Sequence, residues 1–420
     1  MKCDDEEAMN ITRRSLLYGA GSVALASLAH RDWHAQPGSG FALPATAHFP
    51  IPEGTTYLNN AAWHPMSVQA MAAVQRYLDR RVNHITEMPS GGQAVKDDVK
   101  EMFASLINAR PSEVSFIQST MVGENLVVSG LGLPQSSGNV VTDALHFDGS
   151  MYLYGSLKSR GLDVRIVKPR EWRIEIADME KAVDRKTKLV ALSQVSFYNG
   201  FQHDLKAVCD LAHAHGAYVY ADIIQAAGAV PIDVRASGVD FCACSSFKWL
   251  MGDFGLGFLY VREELLDKVI RRTQYGYEQT GEIMAHLLPT DPPASDTYTW
   301  DVLPGAGAHF QVGTMSYAAL AALQQSLHDI RQIGVANIQA HRLPLLRRLQ
   351  QEMPRLGFEP MTPPETTSPI VSFAMKNPAA VAARMRKAGI TIGDSLNRLR
   401  VSQSVFNELS DVDRLLEAVS

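Results

Sequence analysis

Short apolar runs ending in polar residues recur along most of the chain. Val114–Ile117, Asn139–Thr142, Leu189–Ser193, Ala217–Ala221, Val239–Cys244 and Gly257–Val261 are each too short for a helix and rich in strand formers. Each predicts a buried strand. Val164–Val167 adds another, and helical patterns at Asp178–Val183 and Leu205–His215 fall between them. Such alternation predicts an α/β fold with a mostly parallel sheet covered by helices on both faces. Upstream, Ser67 reads as the N-cap of an amphipathic helix reaching about Arg81, and Gln93 to Asn108 as a second helix. From Tyr317 the pattern changes to two long helices, Tyr317–Ile333 and Val335–Leu356. A smaller α/β unit follows in Ile370–Met375, Ala379–Ala388, Leu399–Ser402 and Asp411–Val419. The stretch Glu278 to Gly307 has prolines, glycines and little periodicity, and predicts a long surface loop, a lid or a dimer contact.

At 420 residues the chain exceeds one ordinary core, so two domains are expected. A net charge of −5 without a basic block argues against nucleic acid as a partner. No apolar run beyond the N-terminus is long enough to span a bilayer, so no membrane span is expected in the mature form. Four cysteines are present; Cys242 and Cys244 face one side of one predicted strand, which makes a poor metal site and two good small hydrophobes. No metal is expected. Residues 1–36 differ from the rest. Thr12-Arg13-Arg14-Ser15-Leu16-Leu17, the apolar stretch Leu16 to Ala29 and the small residues Ser27-Leu28-Ala29 together resemble a twin-arginine export signal followed by a linker. That reading implies the twin-arginine machinery as a partner and a periplasmic mature protein. The division expected is 1–36 signal and linker, 37–66 N-terminal segment, 67–312 large domain and 313–420 small C-terminal domain.

The chemistry gathers between Ala217 and Val261. Asp222 closes one predicted strand, Gln225 follows it, and Lys248 stands just past another, between Phe247 and Trp249. In open α/β sheets ligands bind at that edge. Burial between two aromatic residues favours the neutral, nucleophilic form of a lysine amine, as Schiff-base chemistry requires. An aspartate at a strand end suits a pyridinium nitrogen. Taken singly, Lys248 could snorkel to solvent and Asp222 could cap a helix.

Taken together, Asp222-Ile223-Ile224-Gln225, Pro231-Ile232-Asp233-Val234, Ser245-Ser246-Phe247-Lys248 and Gly252, Gly255, Gly257 resemble the class V aminotransferase family, pyridoxal-phosphate enzymes of fold type I. The resemblance runs from about Tyr57 to the C-terminus. It implies pyridoxal 5'-phosphate as cofactor, an amino-acid-type small-molecule substrate, and a homodimer with shared active sites. Lys248 and Asp222 become the catalytic pair. Ser119, Thr120, Met121 and Ser245 take the cofactor phosphate, with Thr314 reaching the partner's. Gln225 also borders the cofactor. Phe147 lies flat on the pyridine, with His146 second. Asn59, Asn60 and His64 line the substrate side. Arg400, with Arg398 as the alternative, binds the substrate carboxylate.

Two departures bear on the reaction. Phe197 stands where the family's cysteine desulfurases carry an asparagine, and Phe247 precedes Lys248 where they carry a histidine. Those enzymes also need a persulfide-carrying cysteine late in the chain, and no cysteine follows Cys244. The sequence is most similar to the isopenicillin-N-epimerase-like branch, which includes exported members that modify siderophores. Transamination is the leading expectation, with epimerisation and C–S or β-elimination as alternatives. A fold used for binding without catalysis is the reading from a different class, against which the set Asp222, Gln225, Lys248 and Arg400 argues.

Overall fold

The computed structural model describes residues 42–84, 92–135, 137–395 and 397–420. The predicted leader, 1–36, lies outside them. Seven strands form the central sheet, in the order Val114–Ile117, Gly257–Val261, Phe241–Ser245, Tyr218–Asp222, Thr187–Ser193, Asn139–Asp143, Asp163–Val167. Gly257–Val261 runs antiparallel to both its neighbours, and the other pairs are parallel.

Alternate side chains leave each strand on opposite faces, yet both faces are apolar. Val190, Leu192, Val219, Ala221, Cys242 and Cys244 enter one buried cluster. Leu189, Ala191, Tyr220, Phe241 and Ala243 enter another on the opposite face. A strand buried on both sides needs an unbroken apolar run, which is why the sequence shows runs here and not alternation. Leu189 and Phe241 are fully buried, and each contributes about 1.5–3 kcal/mol by leaving water. Burial pushes the Cys242 and Cys244 thiols well up, so they stay protonated and act as small hydrophobes.

Ser67 caps the helix Val68–Asn83, its hydroxyl accepting from the Ala70 amide at 3.1 Å. The helix Tyr317–Ile333 packs against both it and the helix Gly92–Leu106; Gly92–Leu106 buries Val95, Val99 and Phe103 in the main core, and Tyr317–Ile333 buries Leu320, Leu323 and Leu327 there. Chain order places Tyr317–Ile333 in the C-terminal unit; its packing places it with the large sheet.

The second core belongs to a four-stranded antiparallel sheet, Glu359–Pro360, Val371–Ala374, Arg398–Val401 and Gly393–Ser395 in spatial order. Helices Val335–Glu352, Pro378–Ala388 and Leu409–Val419 supply Leu345, Leu346, Met385, Val412 and Leu415 to it. The N-terminal segment joins this unit. Thr56–Tyr57 pairs in parallel with Ile390–Thr391, Leu58 enters the second core, and Asn59 bridges to Ser402.

The stretch expected to be a loop, Glu278 to Gly307, contains a hairpin. Thr280–Ala285 pairs antiparallel with Tyr298–Val302. Tyr298, Trp300 and Val302 do alternate with polar residues, but only over five positions beside the prolines 292 and 293. Neither strand is buried: Ile283, Tyr298, Trp300 and Val302 are all exposed. Among the described residues no helix is long and apolar enough to cross a membrane.

Candidate active site

The parallel register brings the strand ends to one edge. Ser193 pairs with Asp222, and Asp222 with Ala243, two residues before Ser245. Asp222 is 3% exposed. Burial pushes its carboxyl up to about 6, against the pull of His146, the Ile224 amide and Lys248. That amide donates to Asp222 Oδ1 at 2.9 Å.

Lys248 stands in a tight loop after Phe241–Ser245. The Met251 amide donates to the Lys248 carbonyl at 2.8 Å, and the Gly252 amide to that of Ser246 at 2.9 Å. Trp249 anchors the loop: it is buried, and its indole N–H donates to Gln225 Oε1 at 2.8 Å. Gln225 in turn donates through Nε2 to the Ala61 carbonyl at 3.0 Å. Gly228 has a φ of +87°, and a Cβ there would meet the Trp249 carbonyl oxygen at 2.4 Å, so only glycine permits this approach. The anchoring keeps Lys248 from snorkelling to the surface, and it is 8% exposed. Burial pushes its amine down to about 8; Asp222 opposes the shift and Arg400 adds to it. A group depressed that far is still mostly protonated at neutral pH, but it offers a neutral fraction far larger than an ordinary lysine does.

The helix Thr120–Gly130 points its N-terminus at the same place. Ser119 is its N-cap, accepting from the Val122 amide at 3.3 Å. The Thr120 amide donates to Ser245 Oγ at 2.9 Å, and the Ser245 amide donates to Thr120 Oγ1 at 2.9 Å. This reciprocal pair fastens the helix start to the strand end. It sets helix N–H groups and two hydroxyls beside Lys248, an arrangement suited to phosphate.

These groups line one cavity of about 150 Å³, together with Met121, Phe147, Ser193, Phe197, Ile224 and Phe247. Phe147 and Phe197 meet edge to face, 5.3 Å between centroids. Gly149 makes room, since a Cβ there would lie 2.9 Å from the Phe147 ring and 3.1 Å from Met121 Sδ. Of the two aromatic candidates, Phe147 faces the cavity, and His146 is buried behind it at 1% exposure.

None of the four residues expected on the substrate side lines the cavity, though Arg400 and Asn59 meet beside Phe197 at its wall. Arg400 donates through Nη1 to the Phe197 carbonyl at 3.0 Å and through Nη2 to Asn59 Oδ1 at 3.4 Å. Its buried Nε has no protein partner. Burial pushes its guanidinium down to about 10, and Arg398 adds to the shift. Arg398 is committed elsewhere, its guanidinium carbon 3.8 Å from the Tyr198 ring centre. Asn60 and His64 do not line the cavity. Asn60 is fully buried and donates to the Ser402 carbonyl at 2.8 Å. His64 lies between Phe49 and Phe406, with Nε2 2.8 Å from Ser404 Oγ, and burial pushes it down to about 4. Both tie the N-terminal segment to the C-terminal unit. Thr314 is exposed, hydrogen-bonded to the Tyr277 hydroxyl and outside the cavity. The cap of Tyr317–Ile333 is Ser316.

The expected site omits Ser193, Phe197, Ile224 and Phe247. Ser193 and Ile224 had a usable signal, since they stand at or just past the ends of strands neighbouring in the sheet.

The description "Aminotransferase class-V" matches residues 56–415, and the chain belongs to that family. It is a pyridoxal-phosphate-dependent enzyme. A probable cysteine desulfurase of Methanothermobacter thermautotrophicus is 27% identical over 335 residues, covering 78% of this chain and 80% of that one. The apo cysteine desulfurase of Thermococcus onnurineus superimposes with a TM-score of 0.78 at 22% identity, covering 90% of this chain and 98% of that one. A mutant of C-DES with glycine covalently linked to its PLP cofactor superimposes with a TM-score of 0.75 at 19% identity, covering 89% and 98%. The donor set of the cavity fits the cofactor: a buried amine of lowered basicity, a buried carboxylate, a helix N-terminus, and an aromatic ring with room beside it.

Proposed function

We propose that this chain is an exported aminotransferase-type enzyme acting on an amino acid or on the amino-acid group of a secondary metabolite such as a siderophore. The observation that carries the reading is the convergence of Lys248, Asp222 and the Thr120–Ser245 pair on one buried cavity, with Arg400 at its side. When bound, pyridoxal phosphate supplies an electron sink for the pair left when the substrate's α-proton departs. The protein's residues do the rest. Asp222 holds a negative charge where the ring nitrogen needs one. Ser119, Thr120, Met121 and Ser245 hold the phosphate at the helix start. Phe147 and Phe197 exclude water. Arg400 takes the carboxylate, with Asn59 beside it. Lys248 Nζ, half neutral near pH 8, removes the α-proton and returns one, and the carbon that receives it separates transamination from epimerisation.

Desulfurase chemistry is disfavoured because Cys209, Cys242 and Cys244 are all buried and no cysteine follows them. The exposed hairpin and Thr314 suit a homodimer in which each copy completes the other's site. The arginine pair at 13 and 14 supports periplasmic delivery by the twin-arginine route.

The test uses purified holoprotein, deuterated water and a siderophore precursor bearing a free amino acid, read by mass spectrometry. Exchange of amine for carbonyl supports the proposal. Deuterium at the α-carbon alone supports epimerisation, and release of a side-chain fragment supports elimination. No exchange at any α-carbon across a panel of amino acids and precursors overturns the substrate reading.

A further inference from the structure

Behind the cavity lies a row of polar side chains in the core. Glu124 sits in the helix that starts at Thr120 and is fully buried. The Ser150 hydroxyl donates to its Oε2 at 2.5 Å, and its Oε1 lies 3.2 Å from His146 Nε2. His146 Nδ1 lies 2.8 Å from Ser193 Oγ. Ser193 lines the cavity and is Asp222's neighbour in the sheet. The row thus runs from the helix through His146 to the cavity wall.

A buried carboxylate without a cation is very costly. The 2.5 Å contact from Ser150 has the length of an O–H bond to an ionised acceptor. With Glu124 ionised, His146 Nε2 must donate to it, and Nδ1 faces a hydroxyl oxygen that can accept. A neutral ring could accept the Ser193 hydrogen at Nδ1, but it would leave the buried Glu124 without the cation that, among the described residues, His146 offers it, so both ring nitrogens carry hydrogen. The other groups facing the ring agree. The charges of Asp222 and Asp143, at the ends of the strands Tyr218–Asp222 and Asn139–Asp143, act on it, and the Tyr154 ring lies 6.4 Å away on the helix Asp148–Ser159. Burial pushes the imidazole down; Glu124 first, then Asp222 and Asp143, outweigh it and hold the ring above its ordinary range.

We propose that His146 is a resident imidazolium beneath the cavity and acts as a positioning residue, keeping Asp222 ionised by its charge and turning the Ser193 hydroxyl hydrogen toward the cavity. The inference rests on the cofactor-site reading of Lys248 and Asp222 and is independent of the substrate. His146 is the foremost charge drawing the Asp222 carboxyl down against burial. Without it Asp222 rises further, holds its proton near neutrality, and no longer supplies the negative charge the site uses.

The test begins with the apoprotein, labelled with nitrogen-15 in histidine. Its nuclear resonance at pH 7.5 should show both His146 ring nitrogens protonated, and Glu124→Gln should return the ring to a neutral tautomer. A neutral ring in the wild-type protein overturns the proposal, whether or not the chain turns over any substrate. The resonance is assigned with His146→Gln or, where that variant does not fold, with Ser193→Ala. In the holoprotein without substrate, the pH midpoint of the bound cofactor's visible band should move by about one unit in His146→Gln, and by less in Glu124→Gln, which removes an opposing charge together with the imidazolium. Tyr154→Phe, which removes a neutral hydroxyl coupled to Glu124 but no charge, should move it far less than His146→Gln. Equal shifts in all three variants mark a packing role and overturn the charge role. Ser193→Ala should keep the imidazolium and weaken pyridoxal-phosphate affinity about tenfold. Unchanged affinity removes the hydroxyl from the proposal.

Discussion

Replacing Lys248 by methionine should stabilise the apoprotein at neutral pH and lose that advantage as the pH rises. Methionine keeps the length of the lysine stem without its charge. The Lys248 amine has an ordinary pKa of 10.5 and falls to about 8 in the fold. A difference of about 2.5 units corresponds to roughly 3 kcal/mol. The sign follows from proton binding. Above pH 10.5 the lysine is neutral in both states and costs nothing extra. Between 10.5 and 8 the unfolded chain holds the proton and the folded chain does not, so the fold loses stability as pH falls. Below 8 the penalty is constant. Asp222 takes part of the gain back, because in the variant it loses one of the cations that draw its carboxyl down. About 2 kcal/mol should survive at pH 7. Calorimetric scans of wild-type and Lys248→Met apoprotein from pH 7 to 10.5 test this. The variant should melt a few degrees higher at pH 7, consistent with roughly 2–4 °C per kcal/mol in mid-sized domains, and the gap should close near pH 10.5. A gap that does not change with pH would refute the reasoning, because it would show that Lys248 is not held in a site that resists its charge.

Asp222→Asn should still bind pyridoxal phosphate but lose about a hundred- to a thousandfold in α-carbon hydrogen exchange per bound cofactor, by analogy with loss of one preorganised electrostatic contact; near-normal exchange would remove Asp222 from the mechanism. Arg400→Lys should raise KM for carboxylate-bearing substrates about ten- to a hundredfold with less effect on kcat, because a lysine cannot grip both oxygens; equal KM values would mean that another group takes the carboxylate. Changing Arg13 and Arg14 to lysine should leave the protein in the cytoplasm with cofactor bound, and its recovery from the periplasm would discard the export reading.

The sheet and the Asp222–Lys248 edge were legible because one physical cause wrote both. Strands buried on two faces need unbroken apolar runs, so Ala217–Ala221 and Val239–Cys244 stand out from their surroundings, and the polar residues that end them must lie at the sheet edge. The helix start at Ser119 was equally plain, since a cap residue and a phosphate cradle ask for the same small hydroxyls. Asn60 and His64 misled for a related reason. A polar residue near a site motif reads as a site residue, whereas both are spent on hydrogen bonds that hold the N-terminal segment to Ser402 and Ser404. Nothing local distinguishes the two uses, because the partners lie some 340 residues away in the chain.

The Glu124–His146–Ser193 row shows where sequence reading runs out. Glu124 falls inside a helix that past its first turn otherwise buries apolar residues and glycine, His146 on a strand-to-helix turn, and Ser193 at a strand end. Each has an ordinary explanation alone: a solvated helix face, a rival for the ring beside the cofactor, a strand terminus. Only the sheet order, which sets Thr187–Ser193 between Asn139–Asp143 and Tyr218–Asp222, makes them neighbours. The same order forces their chemistry. A buried acid next to a buried imidazole satisfies both only by sharing a proton, and Asp222 beside them is a second acid that the same burial would otherwise neutralise. Where three ionisable groups are enclosed in one core, the charge of each is decided by the others, and that coupling is written in the topology and in no single stretch of residues.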